Sequence, residues 1–299
     1  MVTWLSPGHE QLADLAVIIV SWNVKDLVLK NIEHLFQSRG SISAELIVID
    51  NASHDGTADT VRRMFPAARV IANEQNLGFG TANNQGIHCS RSRHVLCLNP
   101  DMRVAPDALQ KTVEYLDQHA DVGVLGAQLH AEDGSIQRSV RRLPDFKSQL
   151  SLILKLPHVF PHVMDNYLFS DFDYHCEQSA PSVRGAYFAI SRSALDRVGL
   201  FDEGFFLWFE EVDYCKRVEL AGMNVMFVPS IQATDLVGQS FKQKKRFSAQ
   251  RIFTRSMVRY FSKWHPVWQA ILLMIVRPIG LIFCLGADLF LFKPKKSYA

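Results

Sequence analysis

The chain has 299 residues, 48% of them hydrophobic and 21% charged. This suits one large α/β domain with an appendage, or two domains, and excludes a disordered or fibrous chain. The net charge of +2 is unevenly spread: residues 236–299 hold twelve Lys/Arg against one acid, Asp288, so they carry +11 and leave the first 235 residues at −9.

In chain order, short apolar runs alternate with helical stretches. The run 15–22 precedes a helix-like stretch at 24–38, 45–51 precedes 56–65, 69–74 precedes 78–90, and 94–101 precedes 106–119. The last of these helices opens on Pro106, a helix-start signal. Strands alternating with helices at this spacing predict parallel βαβ units. The runs are apolar on both alternations, as strands buried on both faces require. Residues 12 to about 130 are therefore expected to form an open, mostly parallel sheet. Residues 131–181 read as loops and short helices. Further strands are expected at 182–192 and 224–230, flanking a helix that begins near Trp208.

The last stretch differs in kind. Arg251, Arg255 and Arg259 recur every four residues and share one helical face. The apolar run 267–292 is interrupted by Arg277-Pro278 and by Asp288. Two apolar halves joined at Arg-Pro suggest helices lying in a membrane interface with basic residues facing anionic headgroups. A spanning helix and a core-packed or dimerising helix are the alternatives. The expected division is a catalytic domain at 1–240 and a helical, membrane-associating segment at 241–299. The five cysteines (Cys89, Cys97, Cys176, Cys215, Cys284) include no CxxC pair, which favours a reducing compartment and argues against a cysteine zinc site. No signal peptide is expected, because the first apolar run is short and follows Asp14.

Ligands of open α/β sheets bind beyond the carboxyl ends of the strands. Polar residues gather there: Ser21-Trp22-Asn23, Asp50-Asn51 and Asn99-Pro100-Asp101. Each alone reads equally well as a turn or cap; three on one sheet edge favour a site. The first strand is followed by neither GxGxxG nor GxxxxGK[ST]. The diphosphate of a bound nucleotide would thus need another source of positive charge, and a divalent cation (Mg2+ or Mn2+) held by Asp101 would supply it. A second cluster places Glu210, Glu211 and Asp213 among Phe205, Phe206, Trp208 and Phe209. Apolar surroundings raise a carboxyl pKa and can make it a general base. An acid-rich helix start is the alternative, and Asp213 with Arg217 four residues on reads as a surface ion pair.

Taken in order, "VIIVSWN", "ELIVIDNASHDGT", "NEQNLGFGTANNQGI", "VLCLNPDMRV", "RGAYFAISRSALDRVGLFDEGFFLWFEEVDYCKRVELAG" and the "HPVW" after "RSMVRYFSKW" resemble family 2 glycosyltransferases. This is the inverting, GT-A group, and the branch is rhamnosyltransferase-like, over roughly residues 14–265. The resemblance implies a GT-A fold and a nucleotide-sugar donor, dTDP- or UDP-linked, with rhamnose among the sugars expected. The implied donor site comprises Ser21, Asn23, Asp50 at the base and ribose, Asn76, Gly78 and Asn83 in a closing loop, Asn99, and Gly185. Trp208 would either stack on a sugar or pack in the core. Asp55 matches a helix-capping acid. Asp101 matches the last acid of the metal-binding DxD motif, whose first position is Asn99 here. Glu211 occupies the place of the catalytic base, normally Asp, with Glu210 as the alternative. The family's HxxGxS pattern reads "DLVGQS" here, which puts Asp235 in the place of the His as a possible cation ligand. Basic residues of 242–251 would assist the leaving group. The implied reaction adds a sugar to a lipid-linked or polysaccharide acceptor in cell-envelope glycan synthesis, at the inner face of the cell membrane, with no nucleic-acid partner. A sugar nucleotidyltransferase and a catalytically silent scaffold of the same fold are the competing readings.

Overall fold

The computed structural model describes residues 1–236 and 246–291. The lysines of 242–245, the "DLVGQS" motif beyond Leu236 and the expected boundary at 240/241 lie outside the described residues. The elements are β1 (Thr3–Trp4), β2 (Ala13–Ser21), α1 (Lys25–Phe36), β3 (Ser43–Asp50), α2 (Thr57–Met64), β4 (Ala68–Ala72), α3 (Phe79–Cys89), β5 (Ser92–Leu98), β6 (Met102–Val104) and α4 (Ala108–Gln118). Then follow β7 (Val122–His130), β8 (Ile136–Gln137), β9 (Val140–Arg141), α5 (Phe146–Ile153), α6 (Asp165–Leu168), β10 (Gln178–Ser179), β11 (Ser182–Val183), β12 (Tyr187–Ser191), α7 (Arg192–Val198), α8 (Glu210–Leu220), β13 (Asn224–Asp235), α9 (Arg246–Trp264) and α10 (Val267–Leu291).

The main sheet runs β1-β3-β2-β5-β12-β7-β13-β10, with β4 beside β3, β6 beside β13 and β8 beside β7. Strands β2, β3, β4 and β5 are parallel, as their apolar runs predict. β12 enters antiparallel between β5 and β7, whereas β7 and β13 are parallel to each other. The stretch expected as one strand at 182–192 is broken at Arg184–Ala186. Its first part, β11, pairs with β9 in a separate two-stranded sheet.

Side chains of β2 alternate between two cores. Leu15, Val17 and Ile19 face the layer of α1 and α4, whereas Ala16 and Ile18 face the layer of α3 and α8. Helix α1 buries Val28, Ile32 and Leu35 at helical spacing. Helix α3 lies very close to the sheet: a Cβ on Gly86 would stand 2.6 Å from Ile18 Cγ2, so only glycine allows this approach.

A third core joins the C-terminal helices to the rest. Met257, Tyr260 and Phe261 of α9 and Ala270 and Leu273 of α10 pack with Phe205, Phe209, Val212 and Ile153. One expectation changes here. Helix α10 runs unbroken through Pro278 instead of splitting into halves, although proline removes one backbone donor. One face of the C-terminal pair is core-packed, while Trp268, Ile271, Ile275, Ile279 and Ile282 stay exposed on α10. No helix among the described residues is long and apolar enough to cross a membrane.

Candidate active site

Parallel register sets the site. Ser21 at the end of β2 stands directly opposite Asp50 at the end of β3, and Leu98 ends β5 beside them, opposite Tyr187 of β12. The amide of Asn99 donates to Ala186 O (3.0 Å), which ties the Asn99-Pro100-Asp101 turn to the start of β12. A cavity opens over these ends, lined by Val20, Ser21, Trp22, Asn51, Asn76, Gly78, Phe79, Asn99, Pro100, Asp101, Phe206 and Leu207. Ser21 Oγ is buried in its wall and has no hydrogen-bond partner among the described residues.

Asn51 organises the loop over this cavity. Its Oδ1 accepts from Leu77 N (3.0 Å) and Asn73 Nδ2 (3.1 Å), and its Nδ2 donates to Asn76 Oδ1 (3.0 Å) and Gly78 O (3.1 Å). Gly78 has φ +89°, and a Cβ there would stand 2.2 Å from Phe206 O. Phe79 N donates to that same carbonyl at 2.9 Å, so the 76–79 loop and the 205–207 segment close the cavity together. The sequence marked Asn51 only as a strand end. Its adjacency to Asp50 was the available signal, whereas nothing local pointed to Phe206 or Leu207 as lining residues.

Other expected residues support the cavity from behind. Asp50 is buried and accepts from Ser53 N (3.1 Å). Asn23, at φ +54°, accepts from His54 N (2.8 Å) and donates its own amide to Ser53 Oγ (2.9 Å). Asn83 is buried inside α3 with its Nδ2 on Phe79 O (2.9 Å), and it does not line the cavity. Asp55 accepts from Thr57 N (3.1 Å), Thr57 Oγ1 (2.5 Å) and Lys25 N (2.8 Å), which ties the starts of α1 and α2 together. That is the helix-capping role expected of it.

The Glu210-Glu211 pair begins α8 after two consecutive left-handed residues, Trp208 (φ +65°) and Phe209 (φ +72°). Each such non-glycine residue costs on the order of 1–3 kcal/mol and persists only where the surroundings hold it. Helix α9 does so: Phe253 sits 5.8 Å from the Trp208 ring and 5.4 Å from Phe209, and Tyr260 sits 5.6 Å from Phe209. Trp208 therefore packs against α9 and lines neither cavity at the site, which favours the core-packing alternative over stacking on a sugar. Asp213 is also corrected. It pairs with Arg217 (2.9 Å) as expected, but it is fully buried and also meets Lys263 Nζ (2.7 Å) and Trp264 Nε1 (2.7 Å) of α9.

Glu210 is buried, with Oε2 lacking a partner among the described residues. Burial and the neighbouring charge of Glu211 push its carboxyl well above the usual range. Burial also raises Glu211, against the opposing pull of Arg184. Two interacting carboxyls cannot both ionise cheaply, and Glu210, pushed up further than Glu211, holds its proton the more tightly of the two. Glu211 lines a second cavity with Arg138, Ser139, Arg141, Tyr167, Ser182, Val183, Arg184 and Val212. Gly185 divides the two cavities: a Cβ there would stand 3.6 Å from Phe79 on one side and 3.8 Å from Glu211 Cβ on the other.

Asp101 lines the first cavity. Asp235, at the end of β13, lies beside it through the β6–β13 pairing, where Leu236 N donates to Asp101 O (3.0 Å). Asp235 already holds a cation: Arg184 Nη1 is 2.8 Å from its Oδ2. Among the described residues, no three His, Cys, Asp or Glu converge as a metal cage. One cavity-facing carboxylate fits a divalent ion that takes its remaining oxygens from a bound diphosphate and water; it does not fit an all-protein site.

The fold and its two cavities define an α/β protein with a pocket at the strand ends and, next to it, a carboxyl pair of which Glu210 is buried and Glu211 half-buried. The family description "Glycosyl transferase family 2" matches residues 16–199, and the chain belongs to that family. It is 29% identical over 206 residues to N-acetylglucosaminyl-diphospho-decaprenol L-rhamnosyltransferase of Mycobacterium tuberculosis, across 62% of this chain and 64% of that protein. It is 31% identical over 112 residues to succinoglycan biosynthesis protein ExoO of Rhizobium meliloti, across 37% of this chain and 32% of that protein. The matches thus span less than two thirds of these relatives' lengths. Among solved structures, the mannosyltransferase PcManGT from Pyrobaculum calidifontis in complex with GDP-Man and Mn2+ superposes with a TM-score of 0.57 at 17% identity, over 98% of this chain and 84% of that one. The expected GT-A fold is borne out.

Proposed function

We propose that the protein is an inverting glycosyltransferase that moves a sugar from a nucleotide-sugar donor to an acceptor of cell-envelope glycan synthesis. The observation that carries this reading is the pair of cavities meeting at Gly185, one faced by Asp101 and the other by Glu211. In it, the donor nucleotide occupies the first cavity beneath the 76–79 loop, against Ser21, Asn76, Gly78 and Asn99. Asp50, Asn23 and Asn83 shape that pocket from behind. Asp101 is the carboxylate that would hold a divalent cation, which when bound stabilises negative charge on the leaving diphosphate. Asp235 acts through Arg184, not as a second charged ligand.

Glu211 accepts the proton of the acceptor hydroxyl as that oxygen attacks the anomeric carbon from the face opposite the diphosphate. A single displacement of this kind inverts the configuration. Glu210, holding its own proton, keeps the site free of a second negative charge. The name of the Mycobacterium tuberculosis relative supports a rhamnosyl donor and a lipid-linked acceptor, with a polysaccharide acceptor as the alternative; the donor nucleotide is dTDP or UDP, and dTDP-rhamnose is the first donor to test. In this reading α9 and α10 form the membrane-associating part, and the exposed apolar face of α10 rests on the inner face of the cell membrane.

A panel of dTDP-, UDP- and GDP-sugars, offered with Mg2+ or Mn2+, tests the activity by release of nucleoside diphosphate. NMR of the product should give the anomer opposite to that of the donor. A retained configuration, or release of pyrophosphate and a sugar-1-phosphate in place of nucleoside diphosphate, contradicts the reading.

A further inference from the structure

We infer that the Glu211 cavity is the seat of an anionic acceptor, and that Arg138 and Arg141 grip a phosphoryl group standing next to the accepting sugar. The inference rests on the transferase reading above and adds the acceptor's charge and the residues that read it.

The walls of this cavity are built for an anion. Three of the nine lining side chains are arginines, and the one acid among them is Glu211. Arg184 is already committed to Asp235 (2.8 Å) and to Gln137 Oε1 (3.0 Å). Arg138 and Arg141 have no ion-pair partner among the described residues. Arg141 spends one nitrogen on the carbonyls of Arg138 (3.1 Å) and Val140 (3.0 Å), which fixes its position and leaves the rest of its fork for a ligand. Unpaired guanidinium groups lining one cavity suit phosphoryl oxygens, because each offers parallel donors at matching spacing.

Ser139 supplies an independent sign. It is 5% exposed, lines the cavity, and its Oγ has no hydrogen-bond partner among the described residues. A buried hydroxyl without a partner is costly, and a ligand oxygen would satisfy it. At about 190 Å³ the space far exceeds the roughly 10–15 Å³ that one water needs. Ser182 is also in the wall, and its Oγ already donates to Arg141 O (2.9 Å).

The placement follows from strand pairing. Strand β9 carries Arg141 and pairs antiparallel with β11, so Ser182 stands opposite Arg141 and Val183 opposite Val140. The chain then passes through Arg184 and Gly185 into β12. The arginines and the divider between the cavities are therefore held on two short segments, 138–141 and 182–185, that pair with each other. An acceptor whose charged group sits at Arg138 and Arg141 presents its hydroxyl to Glu211. A neutral glycan offers these arginines only hydroxyl acceptors and no charge to pair with.

The test is equilibrium binding by calorimetry to the full chain, with dTDP and UDP both saturating so that the first cavity is filled. Geranyl diphosphate probes a phosphoryl ligand, glucuronic acid a carboxylate, and geraniol the apolar part alone. Geranyl diphosphate should bind, and at least tenfold more weakly to Arg138→Gln/Arg141→Gln, while geraniol shows no difference between the two proteins. Arg138→Gln alone, at an exposed position, should already weaken binding severalfold with an unchanged melting temperature. Equal affinity of wild type and double variant for geranyl diphosphate, or no binding to either, overturns the inference. So does arginine-dependent binding of glucuronic acid without binding of geranyl diphosphate. Because the readout needs no turnover, binding that behaves as predicted in a protein that turns over no donor would count against the transferase reading and leave this site standing.

Discussion

Glu210 and Glu211 are neighbours in sequence with opposite work to do. Glu210 is buried against apolar side chains and another carboxyl, so it stays neutral, and an amide can replace it. Glu210→Gln should therefore keep most of the turnover. Glu211→Gln should lose about 10²–10⁴-fold in kcat, the usual contribution of a general base. Equal losses would contradict the assignment. Burial raises Glu211, and a base works only when deprotonated, so kcat/KM should rise with pH along a limb lying above the ordinary value of 4.5. Arg184 pulls that limb down, and Arg184→Gln should move it to higher pH. Gly78 offers a different test: Gly78→Ala must take a left-handed backbone and press a methyl into Phe206 O, so donor KM should rise at least tenfold. The acids were legible in the sequence because a carboxylate at a strand end or among aromatics stands out. The partner of Asp235 was not: Arg184 is 51 positions away, and only β7, pairing with β12 on one side and β13 on the other, brings the two together.

Helix α9 is the element that sets the Glu pair. Its aromatic face holds the left-handed turn at 208–209, and Lys263 and Trp264 meet Asp213 one turn into α8. Arg259 and Lys263 also clasp Asp202 at 2.7 and 2.9 Å. Burial pushes that carboxyl up, but the two cations outweigh it and hold it down to about 2. A carboxyl depressed in the folded state contributes stability that is present above its unfolded value, 3.8, and is lost as pH falls towards 2. Asp202→Asn should accordingly lower the melting temperature at pH 7 and flatten its fall between pH 4 and 2; a parallel curve would show that the clasp contributes nothing. The parallel strands were readable because each is an apolar run with its own turn signals. The docking of α9 was not, since its basic face resembles a solvated one until Asp202 and Asp213 are seen beneath it. Pro278 reads as a break because its local cost is plain, while the packing around a continuous α10 is not visible in periodicity: a Cβ on nearby Gly280 would stand 2.7 Å from Ile153 O of α5.

Across the whole molecule, charge and apolar surface divide the work. The acidic body carries the two cavities. The basic C-terminal stretch carries the exposed apolar stripe of α10, in which Ile275 and Ile282 are 65% and 68% exposed. A contiguous stripe of this kind marks an interaction surface. Ile275→Glu/Ile282→Glu should abolish flotation with anionic vesicles and leave donor hydrolysis in solution intact; undiminished flotation would place the contact elsewhere. The central claim is that the strand-end cavity takes a nucleotide-sugar through Asp101, and release of nucleoside diphosphate from the preferred donor measures it most directly. Wild type should release nucleoside diphosphate with Mg2+ or Mn2+ and stop with chelator, and Asp101→Asn should lose at least 10²-fold in kcat/KM. Release that continues undiminished in Asp101→Asn would contradict the account.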